Sequence, residues 1–210
     1  MICRARRLIF VHIPKTAGTS IEDVIWTGRR TTRELWGGLV STYSNRYQTG
    51  GLQHLQAAQI RHAVGRGLFD RCFRFSVVRN PWDKAVSQYA YMVRSRPDLL
   101  AFLDFASIPS FDAYLERIGR RPHVQWLPQK PFLVDTDGRT PLVDTILRFE
   151  TMAGDWAALA GRLDLPGTLG HRNASERRPY QDYYSDRSIG VVGDLYGEDI
   201  AAFGYAFAPA

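Results

Sequence analysis

The apolar run LIFVHI at residues 8–13 stops at Pro14 and gives way to a Gly/Thr/Ser loop, then to TSIEDVIW at 19–26. A short run dense in β-branched and aromatic side chains, closed by a proline, suits a strand buried on both faces. The segment behind it reads as a helix, with Thr19 or Ser20 as N-cap and Glu22 or Asp23 in its first turn. Strand, polar loop and helix in that order form the opening unit of an α/β fold, and this narrows what the rest of the chain can be.

The remaining pattern agrees with that opening. Residues 29–51 are polar and Gly-rich and read as loop. HLQAAQIRHAV (54–64) predicts a helix and FRFSVV (73–78) a second strand. NPWDKAVSQYAYMV (80–93) predicts a helix with Pro81 in its first turn and Trp82, Val86, Tyr89 and Val93 at helical spacing. Helices are expected over 98–105 and 110–119, the second capped by Ser110. Strands are expected over 132–135 and 145–150 around a DTDGR turn. A helix over 151–163, a polar loop over 170–187 and a last helix over 188–203 complete the chain. Strands alternating with helices imply a central, largely parallel sheet covered on both sides, a three-layer α/β architecture. Residues 1–210 are expected to form one domain, since nothing in the composition marks a linker. A chain of 210 residues, 45% apolar, buries enough surface to fold without a metal or a disulfide framework.

Charge points to an anion. The net charge is +6, and of 27 basic residues only Lys15, Lys84 and Lys130 are lysines, leaving 24 arginines. Arginine suits bidentate contacts to sulfate, phosphate and carboxylate. Cys3 and Cys72 make neither a metal pattern nor a disulfide framework, and Cys72 reads as a buried apolar residue. No apolar stretch is long enough to span a membrane, and the apolar run behind the N-terminal basic cluster is too short for a signal peptide. A soluble cytoplasmic protein is therefore expected.

The segment IPKTAGTS places a lysine, three hydroxyl residues and a glycine between a buried strand and a helix. That is where an α/β sheet presents backbone N–H groups and a helix N-terminus to an anion. Gly18 lets the backbone approach closely. Thr16, Thr19 and Ser20 add hydroxyl donors, and Lys15 can neutralise charge developing on a leaving-group oxygen. The segment is not a G-x-x-x-x-G-K-[ST] loop: its lysine enters early and no G-K-[ST] occurs, so the magnesium-binding hydroxyl has no assured counterpart. A second anion site is expected at RNPWDKAVS. Arg79 sits at the carboxyl end of the second strand, where open α/β sheets bind ligands, and Ser87 follows two helical turns on. Arginine plus hydroxyl is a natural pair for a terminal phosphate.

HIPKTAGTS followed by RNPWDKAVSQY closely resembles the two nucleotide-binding motifs of sulfotransferases, in particular the family of carbohydrate O-sulfotransferases and their bacterial relatives. ILRFE (146–150), HRNAS (171–175) and the ending YYSD…LYGEDIAAFGYAF are similar to that family too, so the likeness runs over about 8–207. It implies a P-loop-like α/β fold and 3′-phosphoadenosine 5′-phosphosulfate (PAPS) as sulfuryl donor, with adenosine 3′,5′-bisphosphate as product and no metal. By matching positions, Lys15, Thr16, Ala17, Gly18, Thr19 and Ser20 would hold the 5′-phosphosulfate, and Arg79 and Ser87 the 3′-phosphate. Eukaryotic relatives usually carry a membrane anchor and a stem; with neither pattern read in these residues, a bacterial, cytoplasmic type is the expectation.

Transfer to a hydroxyl needs a base for the acceptor proton, and histidine is the usual choice near neutral pH. The candidates are His12, His54, His62, His123 and His171. His54 is chosen because relatives with a histidine base carry it in a comparable place, upstream of the 3′-phosphate arginine. Glu22 is the rival, since other sulfotransferase branches use a glutamate. His62 is a possible orienting neighbour of His54, and His12 a residue that packs or bonds to backbone. Two stretches are expected to wall the acceptor, a hydroxyl compound read as a glycan or glycoside: 29–51, with Arg29, Arg30, Arg33, Trp36 and Tyr43, and 120–130, with Arg120, Arg121, His123, Gln125, Trp126 and Gln129. In the loop 170–187, which holds Arg172, Tyr180, Tyr183 and Tyr184, Arg177 or Arg178 is expected on the 3′-phosphate side, and Arg178 is taken into the site. The rival functions are a magnesium-dependent kinase with a degenerate loop, a basic nucleic-acid binder and a binding-only relative. Dispersed arginines and the lack of an RNA- or DNA-binding motif argue against the second.

Overall fold

A computed structural model gives the fold, and it describes residues 1–26, 52–170 and 177–208. The chain divides into two compact units, Met1–Val78 with Gln129–Asn173 and Arg79–Pro128 with Ala174–Ala210.

The first unit holds an open four-stranded sheet in the order β1 (Ile2–Cys3), β2 (Leu8–Val11), β3 (Phe73–Val78), β4 (Thr145–Arg148). β1 pairs antiparallel with β2, while β2–β3 and β3–β4 are parallel. Leu8 faces Phe73, and Phe75 faces Thr145. Every residue of β2 is buried, as its unbroken apolar run requires. Phe10 stacks on Phe75 at 4.9 Å between ring centroids, and Ser76 Oγ donates to Val11 O at 2.6 Å. Four longer helices belong to this unit: α1 (Gly18–Ile25), α2 (Ala57–Val64), α3 (Arg66–Asp70) and, later in the chain, α8 (Met152–Leu163), which packs Trp156 toward Phe75. The mostly parallel sheet flanked by helices agrees with the α/β fold class expected from the sequence.

The second unit is helical: α4 (Pro81–Ser95), α5 (Pro97–Phe102), α6 (Phe111–Arg120), a 3-10 turn at Val124–Trp126, another at Tyr180–Tyr183, then α9 (Asp186–Leu195) and α10 (Gly197–Phe203). Its core joins Trp82, Val86, Met92, Leu103, Tyr114, Leu115, Trp126, Val192 and Tyr196.

Several local expectations are corrected. β1 was not anticipated; two residues carry too little pattern to read. FLVD at 132–135 is not a strand: Lys130–Leu133 forms a single helical turn, α7, with Pro131 at its start. Beyond it, Val134 and Pro141 form a single antiparallel bridge, with Leu142 N donating to Leu133 O and Asp135 N to Thr140 O, both at 2.8 Å. A short apolar run fits a buried helix turn as well as a strand, and Phe132 and Leu133 are buried either way. The last helix breaks at Tyr196, whose buried ring places its hydroxyl on Trp126 O at 2.8 Å. Both cysteines are buried and unbridged, and burial pushes the Cys72 thiol up. Among the described residues no helix is long and apolar enough to cross a membrane.

Candidate functional site

The loop after β2 is shaped by backbone rather than by side-chain caps. Lys15 and Ala17 both adopt left-handed φ, 68° and 66°, with Thr16 between them outside that region. Alternation of this kind lets successive N–H groups converge on an anion. Thr16 Oγ1 donates to Ile13 O at 2.9 Å, which ties the loop to the strand end. Ala17 is the N-cap of α1 and makes no side-chain capping bond, so no side-chain oxygen of the cap covers the first-turn N–H groups. This corrects the expectation of a Thr19 or Ser20 cap. Helix begins at Gly18, one residue earlier, and Glu22 and Asp23 fall beyond the first turn. Gly18 is required by its neighbour: a Cβ there would lie 2.0 Å from His12 Nε2.

His12 links the loop to the candidate base. Its Nδ1 lies 2.6 Å from Glu22 Oε1, a charge contact rather than an aligned hydrogen bond, and its ring centroid is 4.4 Å from that of His54. Its carbonyl receives His54 Nδ1 at 3.0 Å. A carbonyl can only accept, so Nδ1 carries the proton and Nε2 carries the lone pair. Burial first, and the electrostatic influence of the neighbouring His12 second, holds His54 well below the usual imidazole range, so the ring is neutral at pH 7. His54 sits in the turn before α2 at φ 62°, not on the helix as expected; α2 opens instead with a Gln56 capping box. Glu22 is buried, and its Oε1 also accepts from Gln53 Nε2 at 3.2 Å. The two rivals for the base thus have different circumstances: His54 keeps an acceptor nitrogen, whereas Glu22 is engaged by His12 and Gln53. His62 is exposed in the last turn of α2, away from the role of orienting neighbour.

In the second unit, Asn80 caps α4 by accepting from Trp82 N at 3.0 Å, with Pro81 at the first helical position. Arg79, just ahead of the cap, is buried and donates from Nε to Asp83 Oδ2 at 2.8 Å. Asp83 Oδ1 receives Arg177. Asp83 and Ser87, four apart within α4, lie along one stripe of the helix, Arg79 reaches Asp83 from ahead of the cap, and Ser87 is buried. Of the two arginines weighed from the sequence, Arg177 joins this cluster, while Arg178 is exposed with its guanidinium 5.2 Å from the centroid of the Tyr183 ring. Lys84 is buried, bonds Leu127 O at 3.1 Å and lies over the Tyr196 ring; burial lowers its pKa to about 8 against the opposing pull of Asp199.

The stretch 120–130 does not supply the expected acceptor wall. Trp126 is buried in the helical core with Nε1 on Arg121 O at 2.8 Å, and His123 caps the 3-10 turn by accepting from Gln125 N. Gln125 and Gln129 are buried as well. Apolar burial claims the aromatics because the helices need a core. The other proposed wall, with Arg29, Arg30, Arg33, Trp36 and Tyr43, lies outside the described residues, as do His171 and Arg172. Sequence reasoning weighed His12 only as a candidate base or a packing residue, and did not foresee Gln53 and Asp83 beside the site. Asp83 alone left a signal, its i+4 spacing from Arg79; the others meet only through long-range folding.

A family model described as the sulfotransferase family matches residues 1–206. No curated protein and no solved structure matched the chain. With the match spanning nearly the whole sequence, the chain belongs to the sulfotransferase family.

Proposed function

We propose that the chain transfers a sulfuryl group from PAPS to a hydroxyl of a carbohydrate acceptor, with His54 as general base. One observation carries this reading: His54 Nδ1 is tied to the carbonyl of His12, whose ring packs on Gly18 of the anion loop. The base is thereby built into the same scaffold as the loop.

The donor supplies an activated sulfuryl group with a phosphate as its leaving group. Lys15 and the N–H groups around Ala17 and Gly18 offer positive charge where it is needed on the departing oxygen, and Thr16, Thr19 and Ser20 flank them. Arg79 and Ser87 hold the 3′-phosphate, joined by Arg177 through Asp83, with Arg178 at the margin. His54 Nε2 takes the acceptor proton. Glu22 braces His12 and so the loop end of the scaffold. The carbohydrate acceptor rests on the likeness of both motifs to carbohydrate O-sulfotransferases.

The test is release of adenosine 3′,5′-bisphosphate from PAPS, in the presence of a chelator, over a panel of polysaccharides and glycosides. The expected result is acceptor-dependent release that His54→Asn slows by about 10²–10⁴-fold. Asparagine is chosen because it tolerates the positive φ of His54. Magnesium-dependent ATP consumption without PAPS turnover would make the protein a kinase. Full activity of His54→Asn would move the base to Glu22.

A further inference from the structure

A carboxylate stands at the centre of the proposed 3′-phosphate site. Asp83, in the first turn of α4, is 15% exposed, and both its oxygens are engaged: Oδ2 by Arg79 Nε and a terminal nitrogen at 2.8 and 2.7 Å, Oδ1 by Arg177. The Arg79 and Arg177 side chains are 8% and 13% exposed. A carboxylate repels phosphate, so its place among phosphate-binding arginines needs a physical cause.

The cause lies in the two arginines themselves. Two guanidinium groups brought together out of water repel each other and lose hydration. One carboxylate accepting from both reverses the sign of that encounter. Bonding Arg79 through Nε also fixes the plane of its fork, which is what bidentate recognition of an anion requires. Two positive groups and one negative leave a net positive charge, so the cluster still attracts an anion. Ligand binding then avoids the cost of assembling two long side chains.

We infer that Asp83 is a positioning residue that preassembles Arg79 and Arg177 into a clamp for the 3′-phosphate, and thereby sets selectivity for 3′-phosphorylated nucleotides. The inference rests on the assignment of Arg79 to the 3′-phosphate in the proposed function.

The test is calorimetric titration of the purified full chain with adenosine 3′,5′-bisphosphate and with adenosine 5′-monophosphate, which differ only in the 3′-phosphate. Wild type, Asp83→Asn, Asp83→Ala, Arg177→Ala and the Asp83→Ala/Arg177→Ala double variant are compared, each with its melting temperature. Wild type is expected to prefer the bisphosphate. Asp83→Ala should cut that preference about tenfold or more, the worth of a charge-assisted hydrogen bond, while leaving monophosphate binding unchanged. Asp83→Asn should fall between, and the double variant should lose little beyond the worse single change, because the residues act as a unit. Tighter bisphosphate binding in the Asp83 variants would show that Asp83 only repels, and would overturn the inference. So would unchanged selectivity, or an equal loss for both nucleotides with a lower Tm. If Asp83→Ala does not fold, the near-isosteric Asp83→Asn decides. Equal binding of both nucleotides by wild type would overturn the Arg79 assignment itself, so that failure is separable from one confined to Asp83.

Discussion

A Cβ at Gly18 would land 2.0 Å from His12 Nε2, with the rest of the imidazole close behind. Gly18→Ala must therefore displace His12, and with it the carbonyl that holds His54. We expect a loss of about 1–3 kcal/mol in stability by denaturant titration, the usual range for overpacking, and weaker bisphosphate binding in calorimetry. A variant with wild-type stability and affinity would show that His12 yields without consequence. The burial of His54 has a kinetic signature. Its imidazole is held well below the ordinary range, so the acidic limb of kcat/KM for the donor should lie below pH 6.5; a limb at or above that pH would exclude a desolvated His54 as base. At this scale the sequence offered roles where chemistry follows from residue type and place, and for Lys15, Gly18 and Arg79 those roles stand as proposals. It was silent where a role depends on a partner far along the chain: Glu22 meets His12 and Gln53, and these contacts leave no local mark.

Elements were most legible where several signals agreed. FRFSVV became β3 with the predicted bounds, because β-branched and aromatic side chains dominate a short run that lies between two parallel neighbours, with Ser76 bonded to Val11 O and Arg74 paired with Asp144 at its edge. The helix after it began where Asn80 and Pro81 said it should, and Ser110 caps α6 by accepting from Ala113 N at 3.2 Å. Asn80→Ala removes a cap bond and the Asn80 bond to Ala206 O. It should lower stability by about 1 kcal/mol or somewhat more by denaturant titration, and no change would mean that water replaces both bonds. Elements were misread where backbone chose differently from side chains. α1 starts at Gly18 because left-handed Ala17 turns the chain, although Thr19 and Ser20 are the better capping types. The FLVD run could satisfy its burial as a helical turn, and Pro131 favoured that choice.

At the scale of the whole molecule, each compact unit is assembled from two separated stretches of chain, so neither can form from one contiguous piece. The single-domain expectation therefore takes the form of one cooperative unfolding transition, coincident by fluorescence and circular dichroism; two resolved transitions would contradict it. Its pH dependence follows from buried bases. The buried His54 is depressed, and His123 is lowered to about 4, chiefly by burial, so on acidification the unfolded chain takes up protons first. Stability should fall as pH drops from about 6.5 toward 4. Lys84, lowered to about 8, acts on the other side: its contribution is complete above the unfolded lysine pKa and is lost as pH falls through 8. Between pH 8 and 9, before the raised Cys72 thiol and the tyrosines oppose it, wild type should gain stability relative to Lys84→Met. A parallel pair of curves would show that Lys84 stays charged.

The most direct test of the central claim, that the two motifs form a donor site for a 3′-phosphoadenosine nucleotide, is calorimetric titration with adenosine 3′,5′-bisphosphate in a chelator. ATP with and without magnesium is the control, and Lys15→Ala and Arg79→Ala are run beside wild type. The predicted result is metal-independent binding of the bisphosphate that weakens in both variants. Bisphosphate binding absent alongside magnesium-dependent ATP binding, or affinity indifferent to both substitutions, would contradict it.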